Sequence, residues 1–252
     1  MPLIGKIVAR RPPAAPGKIS GALYGVSCWV VFCVLGIVLW PAVLVLPRLT
    51  WRWSLARAMG RLACAWLAIP LETRGDLSAG EACVYVANHA SFLDSCVFFV
   101  MFPTPVVFVA GDVLSHQLIV GTFLRRVGAV FVGGEDKKGR SKLESVLASL
   151  KDVISSGRSI VFFPEGGLGH APGLRRFKLG AFVVAAETGC PVLPVGILGT
   201  GAILPAGKRL LRRGAIKLVV GEPLRATGSD WKAARELAER AHSAVEELLE
   251  AG

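Results

Sequence analysis

Two short segments of this chain carry side chains able to move a proton and to face a developing charge. The first is Asn88-His89-Ala90-Ser91-Phe92-Leu93-Asp94, which sets an imidazole and a carboxylate five residues apart, directly after the apolar run Cys83-Val84-Tyr85-Val86-Ala87. A His held by an Asp is the simplest general base near neutral pH: the carboxylate fixes the ring tautomer and stabilises the imidazolium once the proton is taken. The second is Phe162-Phe163-Pro164-Glu165-Gly166-Gly167, after the strand-like run Ser159-Ile160-Val161. Its glycines leave backbone amides open, and amides aimed at one point stabilise an oxyanion. Each motif also has a plainer reading. Ser91-x-x-Asp94 is a capping box, in which Ser91 caps a helix and Asp94 reaches back to its first amides. That role is compatible with holding His89. His89 alone reads as a structural histidine, and Glu165 alone as a turn residue between Pro and Gly-Gly. Together, His, Asp and Glu all sit just past strand ends, where α/β proteins place their chemistry.

The elements that must position these residues alternate along the chain. Pro105 to Ala110, Gly128 to Val132, Val192 to Leu198 and Ala215 to Val220 read as strands. Lys138 to Ser156 carries Leu143, Val146, Leu147, Leu150, Val153 and Ile154 at helical spacing. Phe177 to Glu187 reads as a helix ending at Gly189, and a charged helix closes the chain from Trp231 to Leu249, with His242 exposed on it. The fold class expected is α/β: a single domain with a central mixed sheet flanked by helices, preceded by an N-terminal membrane-associated helical segment. The expected divisions are a flexible basic arm (1–19, with Pro12, Pro13 and Pro16), the helical segment (20–72) and a catalytic domain (73–252).

Composition points to a lipid surface. Of the 252 residues 53% are hydrophobic, formal net charge is +11, and mean hydropathy is +0.55. A basic surface suits nucleic acid or anionic lipid headgroups. The adjoining apolar segment favours lipid, no nucleic-acid motif accompanies the charge, and no nucleic-acid partner is expected. From Gly21 to Pro47 no residue is charged. As one helix this stretch would be ~40 Å long against a hydrocarbon core of ~30 Å, so its length permits a span. Basic residues flank both ends, Lys6, Arg10, Arg11 and Lys18 before it and Arg48, Arg52, Arg57 and Arg61 after it. A helix broken at Pro41 that returns to the leaflet it entered would keep both flanks on one side, and this monotopic reading is preferred. Thr50 to Ile69, with Trp51, Trp53 and Trp66 among arginines, then reads as an interfacial helix. The six cysteines show neither metal-ligand spacing nor a paired framework, which fits a reducing compartment and no metal site.

Taken in order, NHxSxxD over Asn88–Asp94, Gly128–Val132, FPEG over Phe163–Gly166, Phe177–Gly180 and Val192–Ile197 resemble the glycerolipid (lysophospholipid) acyltransferase family over roughly residues 80 to 200. The resemblance implies fatty acyl transfer from a carrier thioester to a lipid hydroxyl at the cytoplasmic face of the cell membrane. His89 and Asp94 would be catalytic, with no cofactor beyond coenzyme A or acyl carrier protein as the donor's carrier. Substrate contacts are expected from Glu165, Gly166 and Gly167, with Asn88, Ser91, Arg175, Arg176 and Lys178 beside them, and His170 is a further candidate. The sequence departs from the family pattern at cations expected to grip an acceptor phosphate: Gly111, Gly134 and Leu168 stand where basic residues or their motifs are usual. Arg makes bidentate charge-assisted bonds that Gly cannot replace. Either nearby cations take over (Arg125, Arg126, Lys137, Lys138, Arg140, Arg175, Arg176, Lys178), or the acceptor carries no terminal phosphate, as in a lyso-aminolipid. Two other function classes stay open: a thioesterase or lipid hydrolase using the same dyad on water, and a non-catalytic lipid-binding relative.

Overall fold

Successive side chains of a strand point to opposite faces of its sheet, so a strand apolar at every position must be covered on both. Val84-Tyr85-Val86-Ala87 is such a strand, and all four residues are buried. The computed structural model describes residues 18–78, 80–133, 139–168 and 173–252. Their elements, in chain order, are α1 (Lys18–Val45), α2 (Leu49–Trp66), β1 (Leu71–Arg74), β2 (Val84–Ala87), α3 (Leu93–Met101), β3 (Val107–Gly111), α4 (Asp112–Ser115) and α5 (Leu118–Arg126). There follow β4 (Val130–Val132), α6 (Gly139–Ser155), β5 (Ile160–Phe162), α7 (Gly180–Thr188), β6 (Val192–Leu198), α8 (Thr200–Ile203), β7 (Ile216–Val220) and α9 (Trp231–Glu250).

The strands form one sheet in the order β1-β7-β6-β2-β5-β3-β4. Every neighbouring pair is parallel except β6–β7, so the sheet is mixed, as expected. Alternation along the strands sorts the core into two layers. Tyr85, Val161, Leu193, Val195 and Leu218 face the side covered by α1, α2 and α3. Val84, Val86, Ile160, Phe162 and Val192 face α6, α7 and α9. The site-bearing strand β2 lies between β5 and β6. Their parallel direction brings the ends of β2 and β5 to one edge of the sheet.

The N-terminal helices are part of the first layer. Trp53 on α2 is fully buried against Phe99 and Phe108, and its indole N–H donates to Phe102 O at 3.0 Å. Tyr24, early in α1, donates its hydroxyl to Leu67 O just past α2, so the two helices form an antiparallel hairpin. The sheet begins at Leu71, two residues inside the segment assigned to the helices.

Some expectations change. Pro41 does not break α1, which runs through it to Val45. Proline removes one backbone donor, and only one further turn of helix follows it; the chain turns instead at Leu46-Pro47-Arg48. Pro47 biases Leu46 out of helix, and Arg52 caps the exposed carbonyls: Nε donates to Leu46 O at 2.7 Å and Nη2 to Pro47 O at 3.4 Å. Arg52 Nη1 also donates to Arg126 O at the end of α5, at 2.6 Å. The helix expected from Phe177 starts at Gly180 and closes, as expected, on a left-handed Gly189 (φ 70°). His242 is half-buried, with its ring edge-on to Phe177 at 4.9 Å. Most of the basic arm, together with Gly134, Lys137, Lys138 and His170, lies outside the described residues.

Candidate active site

The turn from β2 into α3 builds the dyad from local hydrogen bonds. Asp94, in the first turn of α3, is wholly buried. Its Oδ2 accepts from three donors of the preceding loop: His89 Nδ1 at 3.0 Å, Ala90 N at 2.8 Å and Ser91 N at 2.8 Å. The two amides and the imidazole fix the carboxylate within the turn. An acceptor at Nδ1 sets the tautomer with the proton there and leaves the lone pair on Nε2. No described residue hydrogen-bonds Nε2. The capping reading holds in part, since Asp94 reaches back to Ser91 N, while Ser91 Oγ accepts from Leu93 N at 3.2 Å.

The FPEG segment supplies the second wall. Phe163 stacks its ring on His89, centroids 4.2 Å apart and planes 20° from parallel. That contact was not foreseen; an aromatic at a strand end beside a general base is its only trace in the sequence. An imidazolium over an aromatic face is stabilised by the ring quadrupole. Glu165 is 8% exposed, and both its oxygens are turned onto protein. Oε1 accepts from His89 N at 2.7 Å; Oε2 accepts from Arg175 Nε at 3.1 Å and Arg175 N at 3.3 Å. Arg175 also donates Nη2 to Gly167 O. Glu165 thus ties the His89 loop to the segment after the FPEG turn, and Arg175 closes that tie. The sequence expectation placed both on substrate, whereas the structure gives both protein partners.

Other candidates fall into three groups. Asn88 and Ser91 are buried and bonded to the fold: Asn88 Nδ2 donates to Ile197 O at 2.9 Å and Oδ1 accepts from Ile197 N at 2.7 Å, while Ser91 Oγ donates to Leu204 O at 2.8 Å. Lys178 and the two glycines stay with the site. An added Cβ at Gly166 (φ +76°) would collide with the Lys178 ammonium, so that cation lies directly over the turn. Gly166 N is taken by Phe163 O at 3.0 Å. No described residue accepts from Gly167 N–H. Arg176 leaves the site, lining a groove of about 370 Å³ against α9 with Arg235 and His242. No described group of three His, Cys, Asp or Glu converges as metal ligands. Burial pushes the thiols of Cys83 and Cys190 up, away from the nucleophilic thiolate.

An imidazole held at Nδ1 by a buried carboxylate and a glycine-bearing turn under Lys178 meet at one sheet edge. The family model described as Acyltransferase matches residues 69–198, about half of the chain, and includes every one of these groups. The chain belongs to the Acyltransferase family. It is similar to the 1-acyl-sn-glycerol-3-phosphate acyltransferase BAT2, chloroplastic, of Brassica napus, 32% identical over 61% of this chain and 44% of that protein. It is also similar to the lyso-ornithine lipid O-acyltransferase of Pseudomonas aeruginosa, 29% identical over 79% of this chain and 77% of that protein. The chain spans less than half the length of the plant and algal relatives it matches. The crystal structure of the 1-acyl-sn-glycerophosphate acyltransferase PlsC from Thermotoga maritima shares the fold, with a TM-score of 0.71 at 23% identity over 92% of this chain and 97% of that one.

Proposed function

We propose that this acyltransferase moves a fatty acyl group from a thioester, on coenzyme A or acyl carrier protein, to the hydroxyl of a lysolipid. The observation that carries the reading is the His89–Asp94 pair at 3.0 Å, with Nε2 unpartnered among the described residues. His89 Nε2 takes the hydroxyl proton as the oxygen attacks the thioester carbonyl. The tetrahedral oxyanion faces Gly167 N–H, then collapses, expelling a thiolate that recovers the proton from the imidazolium. Asp94 holds the ring and stabilises that imidazolium. General-base help of this kind contributes about 10²–10⁴-fold, or ~3–5 kcal/mol. The donor is already activated, so no acyl-enzyme is required.

The acceptor is proposed to carry no terminal phosphate. Gly111 ends β3 with open space where a side chain would begin, and Arg175 is bonded to Glu165 and Gly167. Lys178 is the cation left at the turn. Similarity to the lyso-ornithine lipid enzyme over 77% of its length, against 44% of the Brassica napus enzyme, supports this choice.

The reaction is proposed to run at the cytoplasmic face of the cell membrane, with the protein lying in one leaflet. Ser20–Val45 is long and apolar enough to cross a bilayer. Exposed apolar residues, however, continue from α1 (Leu23, Val30, Ile37) onto α2 (Trp66), the site loop (Phe92) and α5 (Leu118, Ile119). These elements touch in sequence, α5 on α1, α1 on α2 and α2 on α3. A helix crossing the bilayer would need apolar surface only along its own length.

Purified full-length protein, given a long-chain acyl thioester and a panel of lysolipids beside His89→Ala, tests the reading. Transfer to lyso-aminolipids, lost in the variant, is expected. Transfer only to lysophosphatidate would sink the acceptor proposal, and free fatty acid alone would make the protein a hydrolase.

A further inference from the structure

The connection from β6 to β7 carries Lys208, Arg209, Arg212 and Arg213 and no acidic residue between Gly199 and Gly221. None of the four enters an ion pair with a carboxylate among the described residues, and all are exposed. The loop is nevertheless built firmly, mostly through backbone atoms. Arg212 N donates to Ile203 O at 2.8 Å, Lys208 N to Pro205 O at 3.0 Å, and Trp29 on α1 donates its indole N–H to Arg209 O at 2.5 Å. Leu211 is buried, and Leu210 packs over Gly25 of α1 while remaining 46% exposed. The Arg213 guanidinium lies 5.1 Å over the Tyr24 ring. The loop therefore lies against the part of α1 that exposes Leu23, Val26, Trp29 and Val30. Unpaired cations held at the border of an exposed apolar face are the arrangement that meets headgroups as the face enters hydrocarbon.

We infer that the Lys208–Arg213 loop is an anionic-lipid docking surface. It binds phosphate-bearing headgroups of the bilayer while α1 enters the leaflet. This rests on the membrane placement proposed above, but on neither the acyl transfer nor its acceptor. Ser91 Oγ, in the turn that holds His89, donates to Leu204 O, four residues before Lys208, which ties the dyad turn to the chain leading into the loop.

The test sets two vesicle populations in competition for the full-length protein, since apolar insertion is common to both and cancels. Dense phosphatidylcholine vesicles are mixed with light vesicles of phosphatidylcholine and phosphatidylglycerol, separated by centrifugation, and the protein in each is measured. Each basic residue at an anionic surface strengthens binding about fivefold. Lys208→Gln/Arg209→Gln/Arg212→Gln should therefore reduce the preference for anionic vesicles on the order of 100-fold. Lys208→Arg/Arg209→Lys/Arg212→Lys should keep it, and high salt should erase the difference. The backbone bonds survive these substitutions, and an unchanged melting temperature verifies that the loop remains in place. An undiminished preference in the Gln variant overturns the inference. So does a wild-type protein that distributes evenly. Unchanged partitioning with impaired transfer from acyl carrier protein, but not from acyl-CoA, would assign the loop to an acidic protein instead. No donor or acceptor is present in the partition assay, so its result stands apart from any failure of the proposed reaction.

Discussion

Two groups of cations that a charge count treats alike behave differently in the fold. Beside the dyad, Arg175 is held by Glu165 and Gly167, and at the far end of the helical hairpin Arg52 is held by Leu46 O, Pro47 O and Arg126 O. On the β6–β7 connection, Lys208, Arg209 and Arg212 have their backbones fixed and make no ion pair among the described residues. In the first group each guanidinium donates to protein oxygens, a carboxylate or backbone carbonyls. The second is a surface. The sign of a residue does not tell which it is; its partners do.

Removing the base itself should have the largest effect. His89→Ala should lower kcat about 10³-fold or more on any acceptor, measured by transfer from a radiolabelled thioester, with vesicle partitioning unchanged. Asp94→Asn keeps an oxygen for the Ala90 and Ser91 amides but removes the charge that stabilises the imidazolium. A loss of about 10²-fold in kcat is expected; an unaltered rate would remove Asp94 from the chemistry. Arg175→Ala sharpens the contrast between the two groups. It frees Glu165 and loosens the tie to His89 N, so kcat should fall roughly 10-fold or more while KM moves little. A rise in KM alone would return Arg175 to substrate binding. Arg52→Ala should cost about 2 kcal/mol of stability by the loss of charge-assisted bonds to carbonyls, read by denaturant unfolding, with the vesicle preference kept. The smallest effect is expected at Arg235→Ala. Its i,i+4 pair with Glu239 on α9 is exposed on both sides, and such pairs contribute at most ~0.5 kcal/mol.

Parts of the fold were legible because their causes are local. The strands around Tyr85 and Val195 announce themselves as apolar runs, and Gly189 marks the end of α7 because its left-handed backbone suits glycine. The helix at Gly139–Ser155 follows its apolar period to within a residue or so of the expected bounds. The end of α1 was misplaced because two prolines compete there. Pro41 removes a single bond near a helix end, whereas Pro47 coincides with a side chain that caps the turn. The helices α4 and α8, four residues each, carry too few residues to show a period.

The sequence by itself determined the dyad. His89, Ala90, Ser91 and Asp94 are close along the chain, and the bonds among them close within one turn at a helix start, whatever the rest of the molecule does. It also determined the family, because ordered motifs survive without knowledge of contacts. The tertiary structure decided the roles of Glu165, Asn88 and the arginines. Glu165 reaches His89 N across 76 residues and Asn88 reaches Ile197 across 109, because β2 pairs with β5 on one side and β6 on the other. A guanidinium can donate to water, lipid phosphate or a backbone carbonyl, and a carboxylate can accept from water, an amide or a guanidinium, in every sequence that contains it. Which of these it meets is fixed only when strands distant in sequence come to lie side by side.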